Sequence, residues 1–246
     1  ILNSLETGQP TAIMESSVFG TKRTAASAAL AARYLWVDDS LKTVGLIGCG
    51  PINYEILRFL LAVYPMIETV HLFNRSRGRA ESFRDAVLHK LNANLTVQIE
   101  DTYETILRHV PIVSFGTTTK EPYIHTLTEH AEHAVFLHVS LYDFAPDIIL
   151  KADNVADDIG YVCNHRTSVH LAEQQVGHRA FMRTEMGHIA NGDTMPRDLE
   201  KPFAIYSPVG LAILDVAVAL LLQELALEQN VGTIIESFLP KPWLER

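Results

Sequence analysis

The sequence predicts an α/β fold built on a doubly wound parallel sheet of the dinucleotide-binding (Rossmann) type. Three observations predict it. The run Val44-Gly45-Leu46-Ile47-Gly48-Cys49-Gly50 takes a short apolar strand into a Gly-x-Gly turn and then into an amphipathic segment over 54–63. A second strand-like run, Thr69-Val70-His71-Leu72-Phe73, follows at the spacing of a βαβ unit. Strand-like and helix-like segments then alternate to about residue 156, the pattern of a parallel sheet covered on both faces.

At the chain start, Ile1-Leu2-Asn3 and Thr11-Ala12-Ile13-Met14 flank the turn Glu6-Thr7-Gly8-Gln9-Pro10, which predicts a hairpin. A hairpin alone is marginal in water. The chain also opens without Met, inside a strand, so a further N-terminal part is expected. Residues 25–35 are alanine-rich and predict a helix with a small, close-packing face, and 36–40 read as a polar connector. After the second nucleotide strand come a helix over 78–91, a strand over 95–99 and a helix over 102–107. Ile112-Val113-Ser114-Phe115 is a fourth strand, 125–130 a short helix, 134–139 a fifth strand and 154–156 a sixth. From Thr167 onward the pattern turns mostly helical, with Pro196 and Pro202 as punctuation. A long helix over 209–229 is stopped by Gly232.

Composition removes several function classes. A formal charge of −9 over 246 residues, with no basic cluster, argues against a nucleic-acid partner. The longest apolar stretch, 209–222, is interrupted by Asp215 and is too short to span a bilayer, so no membrane partner is expected. No secretory signal is visible. Cys49 and Cys163 make neither a disulfide framework nor a zinc site, which fits a reducing cytoplasm. His165, His170, His178 and His188 are scattered without metal-like spacing, and no metal site is expected.

The glycine run carries the nucleotide reading. One glycine makes the tight turn, a second lets a pyrophosphate approach the backbone, and a helix N-terminus then offers free N–H groups to the anion. An ordinary structural turn is the bland alternative. At the end of the second strand stand Asn74-Arg75-Ser76-Arg77. Asn74 can bond a ribose without repelling a phosphate, and the arginine forks suit a 2′-phosphate, which favours NADP over NAD. The alternative is that Arg75 and Arg77 are solvated charges at a helix start. Asp143, after the fifth strand, is placed to exchange protons with a substrate, or else is a turn residue before Pro146. Asp157 and Asp158 are adjacent, so at most one enters a site, and helix capping is an equal reading. Arg23 can clamp a carboxylate or phosphate, and Thr24 can cap the alanine-rich helix and reach a phosphate. His133 and His138 alternate with apolar residues and read as surface or satisfied core groups.

At these positions the chain resembles the ornithine cyclodeaminase/μ-crystallin family. The likeness runs through Glu6-Thr7-Gly8, Arg23-Thr24-Ala25-Ala26-Ser27, Ile47-Gly48-Cys49-Gly50, Thr117 with Pro122, Asp143, and Ser207-Pro208-Val209-Gly210-Leu211 to Asp215. Leu141-Tyr142-Asp143-Phe144-Ala145-Pro146-Asp147 departs from the Gly-Gly-Asp-Cys-Pro-Gly-Lys of the true cyclodeaminases. The stretches over 151–158 and 229–233 look more like the siderophore-pathway branch, which oxidises N-(2-amino-2-carboxyethyl)-L-glutamate and releases 2,3-diaminopropionate and 2-oxoglutarate.

The resemblance implies two domains: a Rossmann domain over 25–205 and an α+β substrate-binding and dimerisation domain from 1–24 and 206–246, acting as a homodimer on a small amino-acid-type substrate. It implies that Arg23 holds a substrate carboxylate and that Thr24 lies near the cofactor phosphate. Gly48, Gly50, Pro51 and Ile52 would line the pyrophosphate, and Asn74, Arg75 and Arg77 would meet the adenosine ribose. Thr117 would flank the cofactor, Asp143 would be the acid/base, and Val209 and Gly210 would sit near the nicotinamide. Asn53 stands where the glycine motif has a small residue, so looser packing of helix on strand is expected there. Ornithine cyclodeamination and non-catalytic, μ-crystallin-like holding of NADPH with a small ligand are the alternatives the same resemblance allows.

Overall fold

Parallel strands joined by crossover connections set the frame in which the site is built. The computed structural model describes residues 1–38, 40–164 and 166–235. Asp39 of the connector, His165 and the end of the expected second domain, 236–246, lie outside the described residues. The chain divides into two compact units, Gly20–Leu211 and a smaller one from Ile1–Phe19 with Ala212–Arg246. Arg23, Thr24, Val209 and Gly210, assigned from the resemblance to the second domain, therefore fall inside the larger unit.

In the smaller unit, β1 (Leu2–Asn3) and β2 (Pro10–Ala12) pair antiparallel as the hairpin. Helix α1 then runs over Ser16–Leu35, nine residues earlier than the alanine pattern indicated. The Glu15 carboxylate accepts the N–H groups of Ser17 (2.7 Å) and Val18 (3.3 Å) and opens the helix ahead of Gly20. A single helical glycine costs only about 1 kcal/mol, too little to stop a helix so anchored. Thr24 is thus an interior residue, not a cap: its hydroxyl donates to Gly20 O at 2.9 Å.

The larger unit continues with β3 (Thr43–Ile47), α2 (Pro51–Val63), β4 (Thr69–Phe73), α3 (Arg77–Lys90) and β5 (Thr96–Ile99). Then come α4 (Tyr103–His109), β6 (Ile112–Phe115), β7 (Val135–His138), α5 (Pro146–Ile149), β8 (Asp153–Ala156) and α6 (Ile159–Val162). Helix α7 (Ser168–Val176), β9 (Met182–Glu185), α8 (Met186–Ala190) and β10 (Ala204–Ser207) complete it. Residues 125–130 form no helix, and β9 and β10 interrupt the stretch expected to be helical. Helix α9 (Ala212–Glu228) belongs to the smaller unit and starts three residues after Val209.

The eight strands of the larger unit form one sheet in the order β5-β4-β3-β6-β7-β10-β8-β9, with every pairing parallel. The chain winds outward from β3 to β5 and then returns to β6 on the other side of β3. The crevice at the carboxyl ends of β3 and β6 is therefore the switch point, where such sheets bind ligands. On one face lie Ala25, Ala28, Ala29 and Ala32 of α1 with Ile56, Leu57 and Leu60 of α2, all essentially inaccessible. The alanine spacing of three and four keeps one helix face without bulk, so the backbone can approach closely. An Ala28→Leu change there would overpack the layer at about 1–3 kcal/mol. Ile106, Phe115, Phe136, Phe144 and Ile205 fill the other face.

Candidate functional site

All the loops that carry candidate residues leave the carboxyl edge of this sheet. Gly48, after β3, has φ +100°, and a Cβ built on it would lie 2.3 Å from Gly116 O in the loop after β6. Only glycine permits both that backbone and that approach. Gly50, at the N-cap of α2 with φ −99°, has nothing within 4 Å of such a Cβ, so its open side faces a cavity of about 470 Å³. Pro51 fills the first turn of α2, where a missing N–H costs nothing. Asn53 does not loosen the packing, as the motif led us to expect. It is fully buried; its Nδ2 donates to Ile47 O (3.0 Å) and Gly48 O (2.8 Å), and its Oδ1 accepts from Ser114 Oγ at 2.8 Å. The side chain ties the glycine turn to β6.

The far end of the cavity is lined by Asn74, Arg75, Ser76 and Arg79. Asn74 Nδ2 donates to Ser76 O at 3.0 Å, which steadies the turn into α3. Arg77 is not part of this wall. It pairs instead with Asp101 (2.9 Å) and Glu81 (3.5 Å) and is largely exposed. Arg79 takes the place the sequence reading gave to Arg77. The signal was present, because Ser76 and Arg79 are three apart and share one side of the helix start.

Aromatic rings line the cavity too: Phe73 meets Tyr103 edge-on at 5.8 Å, and Tyr103 meets Tyr123 at 5.1 Å. Neither tyrosine was singled out from sequence. Burial pushes the Tyr103 phenol up to about 12, with Glu104 adding to it. Tyr123 is raised further, by burial first and then by the nearby Asp143, so both hydroxyls stay protonated at neutral pH. Cys49, also in the wall, is pushed up to about 12 by burial, against a smaller opposing pull from Arg79, and stays a thiol.

Asp143 lies behind this wall rather than in it. Its side chain is fully inaccessible. Thr117, which does line the cavity, donates its hydroxyl to Oδ1 at 2.6 Å, and Ser140 Oγ donates to Oδ2 at 2.5 Å. His138 Nε2 sits 3.3 Å from Oδ2 and 3.1 Å from the Asp143 N–H, while its Nδ1 faces Ser207 Oγ at 3.2 Å. A neutral ring accepts the amide, and a protonated one donates to the carboxylate. Burial raises the Asp143 pKa, but the bonds from His138, Ser140 and Thr117 outweigh it and hold the carboxyl below the usual range. The Thr117 hydroxyl therefore links Asp143 to the cavity wall. His138 is thus the satisfied core group expected, with a role around Asp143 that sequence alone did not reveal.

A second cavity, of about 190 Å³, is lined by Arg23, Thr24, Ser27, Ile52, Val209 and Gly210. Ile52 therefore faces this cavity rather than the glycine-loop one. Ser27 Oγ and the buried Tyr206 hydroxyl are 2.7 Å apart beside it. Of the two adjacent carboxylates, Asp158 caps α6 by accepting the Tyr161 N–H at 2.6 Å. Asp157 turns the other way, to Val209 and Gly210. Among the described residues no group of three metal-ligating side chains occurs, and no helix is long and apolar enough to cross a membrane.

Comparison with known proteins adds to this geometry. The sequence model of the ornithine cyclodeaminase/mu-crystallin family matches residues 1–230. The chain is 27% identical to the N-((2S)-2-amino-2-carboxyethyl)-L-glutamate dehydrogenase of Staphylococcus aureus, over 97% of this chain and 70% of that protein. It is 28% identical to a Delta(1)-pyrroline-2-carboxylate reductase of Bacillus cereus, over 96% of this chain and 73% of that one. An archaeal alanine dehydrogenase dimer with bound NAD superposes with a TM-score of 0.85 at 27% identity, covering 97% of this chain and 73% of its own.

Proposed function

The chain belongs to the ornithine cyclodeaminase/mu-crystallin family, and on that premise we propose that it is a nicotinamide-dependent oxidoreductase acting on an amino-acid-type amine. The favoured substrate is N-(2-amino-2-carboxyethyl)-L-glutamate, with 2,3-diaminopropionate and 2-oxoglutarate as products. The observation that carries this choice is the 27% identity to the Staphylococcus aureus dehydrogenase over 97% of the chain.

A dinucleotide suits the larger cavity, which combines a glycine turn, a helix N-terminus, aromatic walls and the cations Arg75 and Arg79. When bound, nicotinamide supplies a hydride acceptor for the substrate's Cα–H. Arg23 is positioned to hold a substrate carboxylate through its planar fork, with the Thr24 and Ser27 side chains beside it. Val209 and Gly210 line the same cavity. The imine left by oxidation is hydrolysed: water forms the new C–O bond, and its proton passes to Thr117 Oγ1 as the Thr117 proton moves to Asp143. The C–N bond then breaks as the proton held by Asp143 returns through Thr117 to the nitrogen, while the new hydroxyl loses its proton to solvent and its C–O bond becomes the carbonyl of the 2-oxo acid. Asp143 acts through Thr117 and is a positioning residue in this scheme. Arg75 and Arg79 favour NADP over NAD. The archaeal relative is a dimer, which supports a homodimer here.

Supplying candidate amines with NAD+ or NADP+ and following nicotinamide absorbance tests the proposal. Reduction with the glutamate-derived amine is expected. Ammonia and a cyclic amino acid from ornithine, with no net absorbance change, would replace it by cyclodeamination. The inaccessibility of Asp143 favours a second reading, a protein that holds NADPH and a small ligand without turnover. Tight NADPH binding with no oxidation of any amine would select that one.

A further inference from the structure

Strands β8 and β10 are parallel neighbours, with Ser207 opposite Ala156, so the loops that follow them leave the sheet side by side. Asp157 is the first residue beyond β8. Its Oδ1 accepts the Val209 N–H at 3.0 Å and its Oδ2 accepts the Gly210 N–H at 2.6 Å. One carboxylate thus holds two successive amides by charge-assisted bonds, which are stronger than neutral ones. Gly210 is held at φ +92°, a conformation side chains disfavour. A Cβ built on it would lie 2.8 Å from Arg23 Nη1 and 3.2 Å from Nη2, so the guanidinium rests against the bare face of this glycine.

We propose that Asp157 is a positioning residue for Arg23: by clamping Val209 and Gly210 it keeps the bare face of Gly210 under the guanidinium and aims Arg23 at an oxyanion in the second cavity. The oxyanion is either a carboxylate of the small substrate or a phosphoryl group of the nucleotide. This adds a residue to the site proposed above and rests on that reading only for the choice of probes.

The test uses Asp157→Asn, Gly210→Ala, Arg23→Ala and the double variant Arg23→Ala/Asp157→Asn, with Asp158→Asn as control, since Asn caps a helix as well as Asp does. The Asn at 157 retains one acceptor and sets its NH₂ against the other amide. Hydrogen exchange at Val209 and Gly210 should quicken about tenfold or more in Asp157→Asn and stay unchanged in Asp158→Asn. Affinity for NADH, for 2-oxoglutarate, or for both should fall about tenfold in Asp157→Asn and Gly210→Ala. A loss confined to NADH assigns the phosphoryl source, and one confined to 2-oxoglutarate the carboxylate.

Affinity for 2′-AMP, which belongs to the Arg75 and Arg79 end, should not move. The double variant should bind no worse than Arg23→Ala alone, as expected where one residue acts through the other. Faster exchange with both affinities intact, or an Asp157→Asn loss that adds in full to that of Arg23→Ala, would overturn the proposal. Failure of the wild-type protein to bind either probe would overturn it as well. NADH binding without oxidation of any amine would sink the proposed reaction alone.

Discussion

Thr117 donates a 2.6 Å hydrogen bond to Asp143 Oδ1, and it is Thr117, not Asp143, that reaches the cavity wall. The buried carboxylate in turn receives Ser140 and faces His138, so the loops after β6 and β7 meet at one charge. Sequence position places an acid beside the site, and the fold sets a hydroxyl in front of it.

The first prediction follows from that arrangement. Asp143→Asn keeps the shape but sets an NH₂ against a hydroxyl donor, and Thr117→Val removes the donor to Oδ1 without changing volume much. Each leaves a buried polar group short of a partner, a cost of about 1–3 kcal/mol, to be read in urea denaturation. If Asp143 takes protons through Thr117, both variants also lose about 10²- to 10⁴-fold in turnover. Normal turnover in Thr117→Val would remove the relay.

The same carboxylate sets a pH dependence. Its folded pKa is held below the ordinary Asp value, so as pH falls the unfolded chain takes up this proton first. Its stabilising contribution is complete above the unfolded pKa of about 3.9 and is lost as pH falls through the lower folded value. Denaturation midpoints measured from neutral pH to below that range should drop, and the part due to this group should be absent in Asp143→Asn. An unchanged pH slope in the variant would locate the acid sensitivity elsewhere.

Two glycines of the turn should separate structure from binding. Gly48→Ala sets a Cβ 2.3 Å from Gly116 O at φ +100°, so loss of folded protein is expected. Gly50→Ala meets nothing within 4 Å and keeps an ordinary φ, so stability should be retained. The added methyl would nevertheless stand where a pyrophosphate approaches, and NADH affinity should fall about tenfold or more. Unchanged affinity in Gly50→Ala would make this turn a structural one.

Cofactor choice is expected to depend on Arg75 and Arg79. A charge-assisted bond to a 2′-phosphate is worth about 1.5–3 kcal/mol, or roughly ten- to hundredfold. Either arginine replaced by alanine should weaken NADPH by that order and NADH little, at one ionic strength. Arg77→Ala should leave both affinities alone, because Arg77 is occupied by Asp101 and Glu81. Equal NADPH and NADH affinities in the unmutated protein would mean that the arginines only face water.

Much of the first half of the fold was legible because its signals are local. Thr69–Phe73 and Ile112–Phe115 were read with the bounds the structure shows, since each is an apolar β-rich run between turn residues. The failures came where a local signal was weak or contradicted. β10 is four residues long and buried on both faces, so it has no alternation to read. Residues 125–130 carry helix-compatible side chains, yet the preceding Tyr123 and Ile124 amides are drawn to Asp143 O, and the segment runs on without a helix.

The sequence by itself determined the parallel sheet, the glycine turn and which loops bring residues to its carboxyl edge. These depend on hydrophobic spacing, glycine and proline, whose effects reach only a few residues along the chain. Tertiary structure alone decided that Asn53 braces the turn, that Arg79 rather than Arg77 joins the cavity wall, and that Asp143 stands behind Thr117. It also decided that Asp157 reaches Gly210, a residue 53 positions away. Such pairings depend on which strands become neighbours and which way each loop turns. That is settled by packing across the whole sheet, and no short window of sequence contains it.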